Sequence, residues 1–250
     1  MTIREVPFRT HDGTLDQDAL DRAINPRTRL VAVGWASNAL GTITNLLPVI
    51  ERAKVAGALT FVDGVHAVPH VLPAVRALGC DFLGCSPYKF YGPHAGVLYS
   101  PAELMDELDV PRLPCANQDA PGRFESGTPS FEAMAGSAAA VEFLASLAEG
   151  GTRRERLGRS YSVLHERGEE LVGRLWDGLT ECPGVDVYGP PPGRPRTPTV
   201  AFSVKGVQPR DVASHLSSRH GVFVSHGDFY ATHVVEDLGV EGGLVRAGCA

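Results

Sequence analysis

Three short apolar runs, Leu30-Val-Ala-Val-Gly-Trp35, Leu59-Thr-Phe-Val-Asp63 and Asp81-Phe-Leu-Gly-Cys85, constrain the fold of this chain most. Each reads as a strand, and the first is a short apolar run of the kind found in a strand buried on both faces. A helical stretch from about Leu46 to Ala56 separates the first two, with Pro48 tolerable in its first turn. A short helical stretch at about Pro73–Leu78 separates the second from the third, and Gly96-Val-Leu-Tyr99 reads as a fourth strand. Strands alternating with helices predict βαβ units around a mainly parallel sheet.

Residues 16–24 read as a short helix, Ser130–Ala148 as a longer one, and Thr152–Leu179 as a charged helix with Leu157, Leu164, Leu171 and Leu175 near one face. Gly189-Pro-Pro-Pro-Gly-Arg-Pro-Arg-Thr-Pro198 then blocks regular structure. Beyond it Thr199–Val204 reads as a strand, Pro209–Arg219 as a helix and Val222–Val224 as a strand. The pattern predicts a large domain over residues 1–151 and a smaller C-terminal α/β domain over 152–250.

Composition narrows the function by exclusion. The 250 residues carry 23 Lys+Arg against 29 Asp+Glu, a formal charge of −6, which argues against a nucleic-acid or anionic-membrane partner. No apolar run reaches the roughly 18 residues of a spanning helix, and Met1–Thr10 has no signal-peptide core. Five scattered cysteines, an odd number, read as reduced thiols in a cytoplasmic protein.

In open α/β sheets ligands bind beyond the carboxyl ends of the strands. Here those ends carry Ser37 with Asn38, Asp63 with His66, and Ser86 with Lys89. A carboxylate and a lysine on neighbouring strand ends suit pyridoxal 5′-phosphate, which takes a lysine amine in a Schiff base and needs a carboxylate to keep its ring nitrogen protonated. The same residues read alone are a solvated lysine and an acid that caps a turn. Ser86-Pro-Tyr-Lys89 also fits the S-x-x-K pattern of serine β-lactamases, but Pro87, Gly92 and Pro93 make a poor helix and no S-D-N or K-T-G partner is present. A metal site at Cys85, His66, His70 and His94 is a weaker reading, because His66-x-x-x-His70 lacks the glutamate of H-E-x-x-H and Pro69 disfavours a helix there.

Ala36–Thr42, Phe61–His70 and Gly79–Tyr99 resemble class V aminotransferase-fold proteins, most closely their cysteine desulfurase-like branch. Arg123-Phe-Glu-Ser-Gly-Thr128 is similar to that family's Gly-Thr turn, and Arg196–Phe202 to a strand of its small domain. The resemblance implies the α/β architecture of PLP-dependent transferases (aminotransferase fold type I): a large-domain sheet, mainly parallel, plus a smaller C-terminal α/β domain. It implies that Lys89 holds the cofactor covalently and shuttles the proton, and that Asp63 pairs with the ring nitrogen. Asn38 and His66 would approach the phenolic oxygen and Ser86 would hold the phosphate. Thr128 would reach the phosphate of a neighbouring subunit, implying a homodimer with shared sites. Arg246 would grip the carboxylate of a small amino-acid substrate, since a guanidinium offers the planar fork for that contact.

Three departures qualify the resemblance. Val224–Ala231, which matches the loop that carries the desulfurase nucleophile, has no cysteine, and Cys249 falls outside it. Tyr88 stands where desulfurases have histidine before the lysine. The family's N-terminal segment, with its phosphate-binding helix end, has no counterpart, and the chain stops at Leu244-Val-Arg-Ala-Gly-Cys-Ala250 in what reads as a strand. The expectation is a pyridoxal-phosphate enzyme of lyase, transaminase or racemase chemistry, incomplete in both domains. The alternative is an inactive fragment or pseudoenzyme that keeps the fold or needs a partner chain.

Overall fold

A computed structural model describes residues 2–115, 117–125 and 127–249. In chain order the elements are α1 (Gln17–Ala23), β1 (Leu30–Gly34), α2 (Leu46–Val55), β2 (Leu59–Asp63), α3 (Val75–Leu78), β3 (Phe82–Cys85), β4 (Val97–Tyr99), α4 (Ala102–Glu107) and α5 (Phe131–Ser146). Then follow α6 (Arg153–Glu181), β5 (Val185–Tyr188), β6 (Thr199–Val204), α7 (Pro209–His220), β7 (Ser225–Gly227), α8 (Thr232–Asp237) and β8 (Leu244–Gly248). Two short 3₁₀ turns lie at Pro87–Phe90 and Gly122–Phe124.

The chain forms two compact units. The first comprises residues 25–34 and 46–161. Its sheet has the order β1-β2-β3-β4, with β1, β2 and β3 parallel and β4 antiparallel to β3. Val31, Val62 and Leu83 are buried and α2 covers β2 with Val49, Ile50 and Ala53, but Leu30, Ala32 and Gly34 are exposed, so β1 is buried on one face and not on both as its apolar run predicts. Asp81, just before β3, ties that strand to β2: its Oδ2 accepts the Thr60 N–H and hydroxyl at 2.7 and 2.8 Å, and its own N–H donates to Thr60 Oγ1 at 2.9 Å. Thr60 is fully buried, so this closed ring of bonds satisfies groups that water cannot reach.

The second unit comprises residues 1–24, 35–45 and 162–250. Its sheet, β5-β6-β8-β7, is antiparallel throughout. Ala39, Leu40, Ala201, Phe229, Val235 and Leu244 form one buried cluster in it. The Pro-rich segment before β6 is anchored by Arg196, only 1% exposed, which donates to the carbonyls of Pro190 and Thr199 and lies over the Trp176 ring at 5.0 Å. That segment in turn holds the loop after β1, through Thr197 N–H to the Gly41 carbonyl (2.7 Å) and Ile43 N–H to the Pro195 carbonyl (3.1 Å).

Two local expectations are corrected. The strand predicted at Val222–Val224 lies instead at Ser225–Gly227, because Gly221 turns left-handed (φ 64°) and the Val222 N–H folds back onto the Leu216 carbonyl at 3.1 Å. This helix-ending motif keeps Val222 out of a sheet. On α6 the buried positions are Leu157, Ser160, Tyr161, Gly168 and Val172, whereas Leu164 is exposed. Gly168 serves close approach: a Cβ there would stand 3.3 Å from Pro198 Cβ.

Candidate active site

In the first unit, Asp63 ends β2 in register with Gly84 of β3. Gly64 N–H donates to the Gly84 carbonyl at 2.8 Å, and a Cβ on Gly64 would meet Val68 Cγ2 at 3.1 Å, so the turn out of β2 lies tight against β3. Asp63 is exposed, and one carboxylate oxygen accepts the Val65 N–H at 2.9 Å. The turn carries His66 onward, with its ring edge-on to His70 at 5.6 Å.

Burial holds His70 neutral, with its pKa pulled down to about 4. The unfolded chain therefore binds more protons than the native one below the ordinary histidine value near 6.5, and stability falls as pH drops through that window. We expect about 1–2 kcal/mol less stability at pH 5 than at pH 7 from this group, partial exposure considered. Urea denaturation at the two pH values checks this. A His70→Gln variant should lose that share of the pH dependence, and an unchanged slope would contradict the assignment.

After β3, Ser86 leads into the Pro87–Phe90 turn, with Pro87 at its first position. The Lys89 N–H donates to the Ser86 carbonyl at 3.0 Å, and the Ser86 hydroxyl makes no capping bond. Tyr91 is left-handed (φ 69°), and a Cβ on Gly92 would lie 2.7 Å from Pro87 Cβ, so Gly92 is required where the turn doubles back. Lys89 is exposed, with its amine 5.0 Å from the centre of the Tyr88 ring. Tyr88 stacks on His94 at 4.8 Å and 8°. Among the described residues no three of His, Cys, Asp and Glu converge as metal ligands.

Asp63, His66, Ser86 and Lys89 thus share the C-terminal ends of two paired strands. Thr128 is exposed in the coil before α5, and no hydrogen bond joins it to them among the described residues. Ser126 of the same Gly-Thr turn lies outside the described residues.

The second unit holds Asn38 and Arg246 and joins them directly. Arg246 Nη1 donates to the Asn38 carbonyl at 2.8 Å and Nη2 to Ser225 Oγ at 3.3 Å. Asn38 Nδ2 donates to the Phe229 carbonyl at 2.7 Å, so one of its two amide hydrogens is committed and one remains. The guanidinium lies over the Phe229 ring at 4.4 Å, and burial draws its pKa below the usual guanidinium value. Sequence reasoning missed Ser225 and Phe229. The signal was slight, an Asp-Phe-Tyr run in which Asp228 closes a turn by accepting the Tyr230 N–H at 3.0 Å. Tyr230 is fully exposed in the Val224–Ala231 loop. Cys249 is half-buried and burial pushes its thiol pKa up, the opposite of an activated nucleophile.

The α/β architecture, with its mainly parallel sheet, is that of PLP-dependent transferases of fold type I. The chain belongs to the aminotransferase class V family, whose model matches residues 1–250. That family is pyridoxal-phosphate dependent. The chain is 34% identical over 251 residues to a probable cysteine desulfurase of Pseudomonas putida, covering 96% of this chain and 58% of that protein. It is 32% identical over 261 residues to a cysteine desulfurase of Pectobacterium atrosepticum, covering 99% and 60%. A cysteine desulfurase structure from Thermococcus onnurineus superposes with a TM-score of 0.84 at 30% identity, covering 98% of this chain and 60% of that one. One from Escherichia coli gives 0.78 at 28% identity, covering 93% and 57%. The chain therefore spans about three-fifths of the length of these relatives. No helix among the described residues is long and apolar enough to cross a membrane.

Proposed function

We propose that this chain carries the chemical centre of a pyridoxal-phosphate enzyme acting on a small amino acid by lyase, transaminase or racemase chemistry. The observation that carries the reading is the exposed Asp63 carboxylate beside the Ser86–Lys89 turn at the ends of paired parallel strands. These residues fit the cofactor by their donor set: an acid for a ring N–H, an amine for an aldehyde and an unspent hydroxyl for a phosphate oxygen. When bound, pyridoxal phosphate supplies an aldehyde that condenses with amines and a ring that withdraws electrons from the substrate Cα.

Asp63 keeps the ring nitrogen protonated, which maximises that withdrawal. Lys89 would hold the cofactor through Nζ, and the same amine would move the Cα proton. Asn38 uses its remaining amide hydrogen, and His66 its ring, toward the phenolic oxygen. Thr128 serves the phosphate of a second subunit in a cytoplasmic homodimer. Arg246 binds the substrate carboxylate with the donors left over from Asn38 and Ser225. The Val224–Ala231 loop, read as the counterpart of the desulfurase nucleophile loop, carries no cysteine.

Titrating the purified chain with pyridoxal phosphate, then reducing with borohydride and mapping peptides, tests the reading. Visible absorbance of a lysine-bound cofactor and a label confined to Lys89 are expected. A label spread over surface amines, or none, would sink it.

A further inference from the structure

We infer that Phe229 is a positioning residue that holds Asn38 and Arg246 in one fixed relation and so aims the guanidinium at a carboxylate ligand. The inference rests on the proposed role of Arg246 and goes beyond it to the residue that sets its direction. The three residues form a closed triangle. Phe229 gives its carbonyl to Asn38 Nδ2 (2.7 Å) and its ring to the Arg246 guanidinium (4.4 Å), while Arg246 Nη1 donates to the Asn38 carbonyl (2.8 Å).

The backbone is strained where this happens. Phe229 (φ 57°) and Tyr230 (φ 60°) are consecutive left-handed residues, and neither is glycine. Bulky side chains avoid that region, and surrounding structure must hold them there. Asp228 does so: Oδ1 accepts the Tyr230 N–H at 3.0 Å, Oδ2 accepts the Thr232 hydroxyl at 2.7 Å, and its carbonyl accepts the Ala231 N–H at 2.8 Å. In this conformation one residue sends its ring into the cluster of Ala39, Leu40, Ala201, Val235 and Leu244 while its carbonyl meets the Asn38 amide. A residue that only filled the core would need no such turn.

The consequence for a ligand is directional. Among the described residues Arg246 commits two of its five N–H groups, to Asn38 and Ser225, and keeps three. A carboxylate bonds in the guanidinium plane, and the ring beneath restricts how that plane can turn.

The test compares L-alanine with L-alaninamide, which lacks the carboxylate, in spectral titrations of the protein loaded with pyridoxal phosphate. Phe229→Leu keeps apolar volume but removes the aromatic face. It should weaken L-alanine binding about three- to tenfold and leave L-alaninamide within about twofold. Phe229→Tyr should restore the wild-type values. Equal weakening of both ligands, or of neither, overturns the inference. A second measurement needs neither cofactor nor substrate: phenylglyoxal labelling of Arg246 in the unloaded chain, with exposed Arg210 as internal reference. Phe229→Leu should speed Arg246 labelling several-fold and leave Arg210 unchanged, whereas an unchanged ratio overturns the inference. Failure of cofactor loading with a changed ratio would instead count against the proposed function alone.

Discussion

An Asp63→Asn variant should keep its fold and lose roughly 10²–10³-fold in α-proton exchange, the usual cost of removing one preorganised electrostatic partner from a reacting centre. The asparagine carbonyl can still accept the Val65 N–H that Asp63 accepts at 2.9 Å, so the turn out of β2 survives. What disappears is the negative charge. An anion beside a ring N–H favours its protonated form, and the amide that replaces it cannot. The protein loaded with pyridoxal phosphate is incubated with L-alanine in deuterated water, and loss of the α-proton signal is followed by NMR. Urea unfolding within about 1 kcal/mol of wild type establishes that the effect is local. Exchange at the wild-type rate would remove Asp63 from the centre.

Gly189→Ala should destabilise the second unit by roughly 3 kcal/mol, the sum of a left-handed alanine and a backbone clash. Gly189 has φ 92°, and a Cβ there would lie 2.4 Å from the Leu40 carbonyl oxygen. Leu40 is 1% exposed and has nowhere to move. The loop containing it also holds Asn38 and is pinned on the far side by Thr197. Gly193→Ala is the control: its φ is 80°, but nothing lies within 4 Å of a Cβ, so only the conformational cost of about 1 kcal/mol remains. The midpoint of urea unfolding should fall for Gly189→Ala without a change in slope. Equal losses in the two variants would show that the approach to Leu40 is unimportant.

Legibility in the sequence followed the range of the forces involved. β1, β2 and β3 are visible as short apolar runs at Leu30–Gly34, Leu59–Asp63 and Phe82–Cys85, although only Val31 of β1, alternate residues of β2 and Leu83 of β3 are buried. The placement of Asp63, Ser86 and Lys89 at the strand ends is legible with them, and the ends of parallel strands are where such a sheet opens to ligands. Val185–Tyr188 escaped notice because four alternating residues beside a Pro-rich loop carry little periodic signal. The strand placed at Val222–Val224 failed because β propensity yields to a left-handed glycine that ends the preceding helix. Of the α6 leucines, Leu157 is buried and Leu171 and Leu175 are partly buried, but Leu164 is exposed while Ser160 and Gly168 are buried, because hydrophobicity alone does not say which face is covered.

By itself the sequence determined the alternation of strands and helices, the polar groups at the strand ends and the absence of a cysteine from Val224–Ala231. Only the tertiary structure decided that Asn38 and Arg246, 208 positions apart, share a hydrogen bond, and that Phe229 lies against both. Strand patterns arise from burial and backbone geometry between near neighbours, which residue type encodes directly. A contact across the chain depends on how a sheet closes and on a left-handed turn that bulky residues avoid on their own, so it exists only once the surrounding core holds it.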